Sequence, residues 1–290
     1  MTTTLQQSLG RTVGEGDDLI TYDVHGDLAS STRPLFVFGS PMDAVGFGSI
    51  VPLLAVDRPV VTYDPRGTAR NPTGTTPTPP ELHAADLHRV IEALGVGPVD
   101  CFGTSGGAVN LFALLAAHPD DVATAIAHEP PSSTFLPDRD VLAAVTEHMV
   151  ETYHRDGFGP GMAEFIAIVK HDGKVPPSYL DAPAPDPAMF GLPVDDDGDR
   201  TNAIFRNSPT CQLYDADLDV LRALGDRLVL GVGAGSNQEW PARGTRALAA
   251  ELGVEPVVFP GSHNGFSGGE YGQPAGDPAG FVAVLRRLLG

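Results

Sequence analysis

Two patterns of apolar and polar positions take turns along this chain. Short, mainly apolar runs recur at 34–38, 59–63, 99–102, 122–127, 227–233 and 255–259. Runs of this kind mark strands buried on both faces of a parallel sheet. An earlier stretch, 18–24, alternates in part (Leu19, Ile20, Tyr22, Val24) and reads as a strand closed by the turn His25-Gly26-Asp27. Between the runs lie segments with helical spacing at 47–54, 80–94, 108–117, 241–252 and 279–289. The 80–94 segment is amphipathic, with Leu82, Ala85, Val90, Ile91 and Leu94 on one face and Glu81 and Asp86 early in the helix.

The alternation breaks at 132–214. Helical spacing continues there at 141–153, 162–170 and 201–207, but no buried-strand run is found, and 176–193 is rich in proline. The pattern therefore predicts an α/β fold: a mostly parallel, doubly wound sheet of about eight strands with an inserted helical lid. The expected division is a core domain over 1–131 and 215–290, interrupted by a lid over 132–214.

One junction carries chemistry on its face. The apolar run at 99–102 passes into Gly103-Thr104-Ser105-Gly106-Gly107 and then into the Ala/Leu-rich helix at 108–117. Strand, tight turn and helix with serine at the tip form a Gly-x-Ser-x-Gly nucleophile elbow. The glycines allow close backbone approach around a strained serine. The turn also aims the N–H of Gly106 and the helix N-terminus at the place where negative charge would develop.

Three other segments stand at strand ends in a matching order: Phe38-Gly39-Ser40-Pro41, Tyr63-Asp64-Pro65-Arg66-Gly67, and Phe259-Pro260-Gly261-Ser262-His263-Asn264-Gly265-Phe266. With the elbow, they make the chain resemble the α/β-hydrolase-fold superfamily, nearest to esterase-like members with a helical cap. The resemblance covers nearly everything except the lid. It implies a serine nucleophile, a histidine base, an acid and a backbone oxyanion hole.

On this resemblance Ser105 is the nucleophile. His263, in a Gly-rich loop after the last strand, is the base that a weakly nucleophilic serine needs. The oxyanion donors are the N–H groups of Gly106 and Ser40; Pro41 has none, and Met42 is the fallback. The acid departs from the pattern. The stretch after the seventh strand, Gly233-Ala234-Gly235-Ser236, has no carboxylate where the family places one. Glu129, at the end of the sixth strand in His128-Glu129-Pro130-Pro131, is ranked first; Glu239 second; a missing acid third. Asp64-Pro65-Arg66-Gly67 is read as structural, a tight turn with a charge pair. Met42, Phe135, Phe165 and Phe190 are candidate substrate contacts, although core packing competes for each.

The remaining histidines read as duller. His83 and His88 lie on the 80–94 helix as solvated or packing residues, and His118 is a helix-end cation. The acidic turn Asp195-Asp196-Asp197-Gly198-Asp199 lacks EF-hand spacing, so neither a metal nor a cofactor is expected. Cys101 and Cys211 are too few and too far apart for a disulfide framework or a metal motif.

The formal charge of −19 and pI near 4.6 make nucleic acid and anionic membrane surfaces poor partners. A small-molecule substrate is expected; oligomeric state stays open, a homodimer being one option. Met1 to Gly10 carry no signal-peptide pattern, and no apolar run reaches the roughly 18 residues of a membrane span. A cytoplasmic location is the expectation. Function then divides three ways. The first is a serine-dependent hydrolase of an ester or related acyl bond. The second is a cofactor-independent lyase, cyclase or isomerase using His263 as base. The third is an inactive binding protein.

Overall fold

Alternation within single strands sets the layers of the molecule. In β3 (Leu35–Phe38), Phe36 and Phe38 pack into one core cluster while Leu35 and Val37 pack into another on the opposite face. A strand must bury both faces to be wholly apolar, and helices supply the cover. The computed structural model describes residues 7–290.

Eight strands are found among the described residues: β1 (Gln7–Val13), β2 (Ile20–His25), β3, β4 (Val60–Tyr63), β5 (Val99–Thr104), β6 (Val122–His128), β7 (Leu228–Gly233) and β8 (Val257–Phe259). They form one sheet in the order β1-β2-β4-β3-β5-β6-β7-β8. β1 and β2 are antiparallel to their neighbours; from β4 to β8 every pairing is parallel. One face is covered by α2 (Pro80–Leu94), α3 (Gly106–Ala117), α7 (Leu218–Ala223) and α8 (Trp240–Leu252). The other is covered by α1 (Val51–Leu54) and α9 (Pro278–Leu289). Helix α3 is apolar nearly all round because it is buried nearly all round.

Between β6 and β7 the chain forms α4 (Arg139–Asp156), α5 (Phe158–Val169) and α6 (Ala203–Gln212) before α7. These helices have small cores of their own. Tyr153 of α4 stacks on Phe205 of α6 with ring centroids 4.0 Å apart. Helix α6 is fastened to the loop after β4: the Arg206 guanidinium donates to the carbonyls of Gly74 (2.8 Å) and Gly67 (3.3 Å). Thr78 Oγ1 donates to Asn207 Oδ1.

Some elements differ from expectation. Neither the strand β1 nor the helix α7 stands out in the apolar pattern. The segment 47–54 is not one helix but a 3-10 turn, Ala44–Phe47, followed by α1. Helix α6 runs through Pro209 to Gln212. No helix among the described residues is long and apolar enough to cross a membrane.

Candidate active site

The carboxyl ends of β3, β5, β6, β7 and β8 converge, and each contributes a loop there. β5 ends in Ser105, whose backbone stands at φ 55°, ψ −131°. L-residues avoid that region, and holding one there costs about 1–3 kcal/mol. The surrounding chain enforces it. Ser105 N–H donates to the carbonyl of His128 (2.9 Å), and α3 begins at the next residue. A Cβ on Gly107 would stand 2.7 Å from Gly39 Cα, and one on Gly103 would stand 2.8 Å from the Gly107 carbonyl oxygen. A Cβ on Gly106 would stand 2.5 Å from the Ser40 carbonyl oxygen. The glycines therefore let the Gly39–Ser40 loop lie directly on the elbow, so Ser40, Ser105 and Gly106 are brought together.

Glu129 follows β6 and is fully buried, with φ 47°. Its N–H donates to the Gly231 carbonyl at 3.0 Å, tying it to β7. Its carboxylate accepts from Gly233 N–H (Oε1, 2.8 Å) and lies 2.7 Å from His263 Nδ1 through Oε2. Burial alone would raise its pKa. The His263 hydrogen bond and charge, then His128, then the Ser236 hydroxyl outweigh burial and hold it at about 2. Ser236 Oγ is buried beside it without completing a hydrogen bond of its own. A carboxylate on Nδ1 leaves Nε2 as the free nitrogen of His263, the one that can accept a proton. Ser105 Oγ and His263 make no hydrogen bond to each other here; such contacts often tighten only when substrate binds.

The empty acid position after β7 has a structural reason. A Cβ on Gly233 would stand 2.7 Å from Ser236 Oγ and 2.8 Å from the Ser262 carbonyl carbon. Gly235 N–H donates to the Gly261 carbonyl at 2.7 Å. This stretch is the seat of the His263 loop, and its backbone, not a side chain, contacts the Glu129 carboxylate.

Residues 35–176 match the family model for the alpha/beta hydrolase fold. The chain has the α/β-hydrolase fold. The chain is 28% identical over 254 residues to a Bacillus subtilis (strain 168) protein named "Uncharacterized hydrolase YraK", covering 86% of this chain and 87% of that one. Among solved structures, it resembles MGS-M2, an alpha/beta hydrolase enzyme from a Medee basin deep-sea metagenome library. That match has a TM-score of 0.68 and 16% identity over 97% of each chain. The enol-lactonase from Burkholderia xenovorans LB400 gives a TM-score of 0.63 and 15% identity over 93% of this chain and 96% of the other. At these identities the structural likeness concerns the fold.

Other residues of the hydrolase fall at varying distances from the elbow. Glu239 caps the start of α8 with its carboxylate unbonded; burial, then the charge of Glu129, raises its pKa. It feels Glu129 and His263 but does not touch them. Met42 packs under the loop after β3, against Gly39 and Gly46. Phe135 joins the core cluster beneath α2 and α3, and Phe165 packs among α4–α6. Phe190 is more than a third exposed.

The charges of the Asp64–Gly67 segment pair with different partners rather than with each other. Asp64 binds Arg70, while Arg66 binds Asp86 and Asp18. Cys211 of α6 also reaches the elbow: its Sγ lies 3.4 Å from the Cβ position of Gly106. Burial pushes that thiol up to about 12. No sequence signal marks it, since only the return of α6 to the elbow places it there. A cavity of about 380 Å3 lined by β1, β2, β4 and α1 lies outside this cluster and includes neither Ser105 nor His263.

Proposed function

We propose that this hydrolase cleaves an ester or related acyl bond in a small, mostly apolar substrate, with Ser105, His263 and Glu129 as its catalytic triad. The observation that carries the reading is the buried Glu129 carboxylate on His263 Nδ1, reached from the same sheet edge as the strained Ser105. Ser105 Oγ attacks the acyl carbon while His263 Nε2 takes its proton. The N–H groups of Gly106 and Ser40 hold the oxyanion. The imidazolium, stabilised by Glu129, returns the proton to the leaving oxygen, and an acyl-serine remains. Water, deprotonated by His263, then releases the acid and restores Ser105.

Residues 132–214 act as a cap over this edge in the proposal, and their apolar side chains bias the site toward apolar acyl or alcohol groups. The name of the enol-lactonase, whose bond is an ester, is consistent with this class. The lyase or cyclase alternative drew its force from a missing acid; Glu129 on His263 removes that ground. The intact constellation equally disfavours an inactive binding protein.

The test is turnover of p-nitrophenyl acetate and butyrate by the wild-type chain and by Ser105→Ala and His263→Ala. Wild-type turnover with loss of at least about 10³-fold in each variant is expected. Equal turnover by wild type and Ser105→Ala rejects the serine mechanism.

A further inference from the structure

At the opposite edge of the sheet from Ser105, three side chains from separate elements converge. His88 stands on α2, His118 terminates α3, and Asp121 ends the short 3-10 turn Pro119–Asp121 that leads into β6. One ligand atom from each lies within 4.8 Å of the other two, and all three residues are partly exposed. We propose that His88, His118 and Asp121 form a binding site for a divalent transition-metal ion, best suited to Zn2+.

Four features carry it. First, the donor set of two imidazoles and one carboxylate suits zinc, cobalt, nickel and copper rather than calcium or magnesium. Second, the imidazole rings of His88 and His118 are stacked, with centroids 3.6 Å apart and planes within 8°. The stack holds the two rings side by side, so a small turn of either one brings a ring nitrogen of each to the same point. Third, His88 Nδ1 lies 2.6 Å from Asp121 Oδ2, so a proton now sits where a metal could bridge the same two groups. Glu92, one turn along α2, approaches His88 Nε2 at 3.5 Å and can hold that nitrogen's proton from behind.

Fourth, the platform is rigid. His118 N–H donates to the Leu114 carbonyl (2.7 Å), and Asp121 N–H donates to the His118 carbonyl (3.1 Å). The Arg227 guanidinium clamps the carbonyls of Pro119, Val122 and Ala123. Metal–ligand bonds of about 2.0–2.2 Å require ligand atoms roughly 3.3 Å apart in a tetrahedron. One ring must therefore turn out of the stack, a side-chain motion at a partly exposed site. Binding displaces the His88 or Asp121 proton to solvent, and water completes the coordination shell. The ion would pin α2 and α3 to the start of β6, remote from the elbow.

The experiment uses the full, untagged chain, stripped with chelator. Zn2+ is titrated by calorimetry, and Co2+ binding is followed by visible absorption. One equivalent of Zn2+ should bind with a dissociation constant of about 10 μM or better. Co2+ should give the intense d–d bands of a four- or five-coordinate site. Saturating Zn2+ should raise Tm by about 2–5 °C. His88→Ala and His118→Ala should each weaken binding at least about 10-fold, and Asp121→Asn should weaken it less. His171→Ala, on the 132–214 segment, should bind as wild type does. Ester turnover, read in parallel, should be unchanged in the His88 and His118 variants. No saturable binding below about 100 μM overturns the proposal. Equal binding by wild type and the His88/His118 double variant also overturns it and identifies adventitious attraction to the acidic surface.

Discussion

Replacing Glu129 by glutamine isolates the electrostatic role of one buried oxygen. The carboxylate serves two partners at once: Oε1 accepts from Gly233 N–H at 2.8 Å and Oε2 faces His263 Nδ1 at 2.7 Å. Glutamine has one acceptor oxygen and one NH2. If the oxygen stays on Gly233, the NH2 faces His263 and selects the tautomer with its proton on Nε2. That nitrogen then has no lone pair for the Ser105 proton. If the amide flips, Gly233 N–H is left buried against a donor, at a cost of about 1–3 kcal/mol. In either arrangement the negative charge that stabilises the imidazolium is gone. An isosteric loss of this kind in a serine triad lowers kcat about 10⁴-fold, or about 5 kcal/mol of transition-state stabilisation. The assay is kcat on p-nitrophenyl butyrate at pH 7.5, with circular dichroism to verify the fold. Glu239→Gln is the matched comparison: its carboxylate is partly exposed and makes no hydrogen bond, so kcat should change by less than about 3-fold. A folded Glu129→Gln chain retaining more than a tenth of wild-type kcat refutes the assignment of the acid.

Ser105→Gly should abolish turnover yet raise Tm by about 2 °C, because relief of the φ 55° strain exceeds the entropy cost of glycine; a lower Tm contradicts the strain reading. Gly107→Ala puts a methyl 2.7 Å from Gly39 Cα and should cost at least about 3 kcal/mol in urea melts, whereas Gly74→Ala, with open space around it, should be near neutral. Burial lowers the pKa of His83 and of His128 to about 4. The unfolded chain takes up those protons below about pH 6.5 and the folded chain does not. Stability therefore falls as pH drops from about 6.5 to 4, by on the order of 3 kcal/mol per histidine. Urea midpoints at pH 7 and 4.5 should show a shallower pH slope for His83→Gln; identical slopes would sink this account.

What could be read from sequence follows from where water is excluded. β3 to β7 announce themselves because burial inside the sheet demands apolar runs, and β8 follows them with an apolar run even though its Val258 is exposed at the edge. β1 (Gln7–Val13) is a mostly exposed edge strand containing Gly10, with an irregular register between Ser8 and Arg11, so it has no apolar face to display. Helix α7 is short and keeps Asp219 and Arg222 outward, so it shows no apolar run of its own. At the site, Ser105, Gly106, Ser40, Glu129 and His263 were legible because each sits within a few residues of a buried strand's end. The approach of Cys211 to the elbow was not, since it depends on how α6 returns to α3. The pairing of His88 with His118 is also invisible along the chain: it arises where α2 and α3 run side by side.

The most direct test of the central claim is covalent labelling of the nucleophile. The wild-type chain is incubated with a p-nitrophenyl alkylphosphonate, and intact and peptide masses are measured. The account requires one adduct per chain, on the peptide carrying Gly103-Thr104-Ser105-Gly106-Gly107, absent in Ser105→Ala and formed far more slowly in Glu129→Gln. An unlabelled wild-type chain, or an adduct that persists in Ser105→Ala, would contradict it.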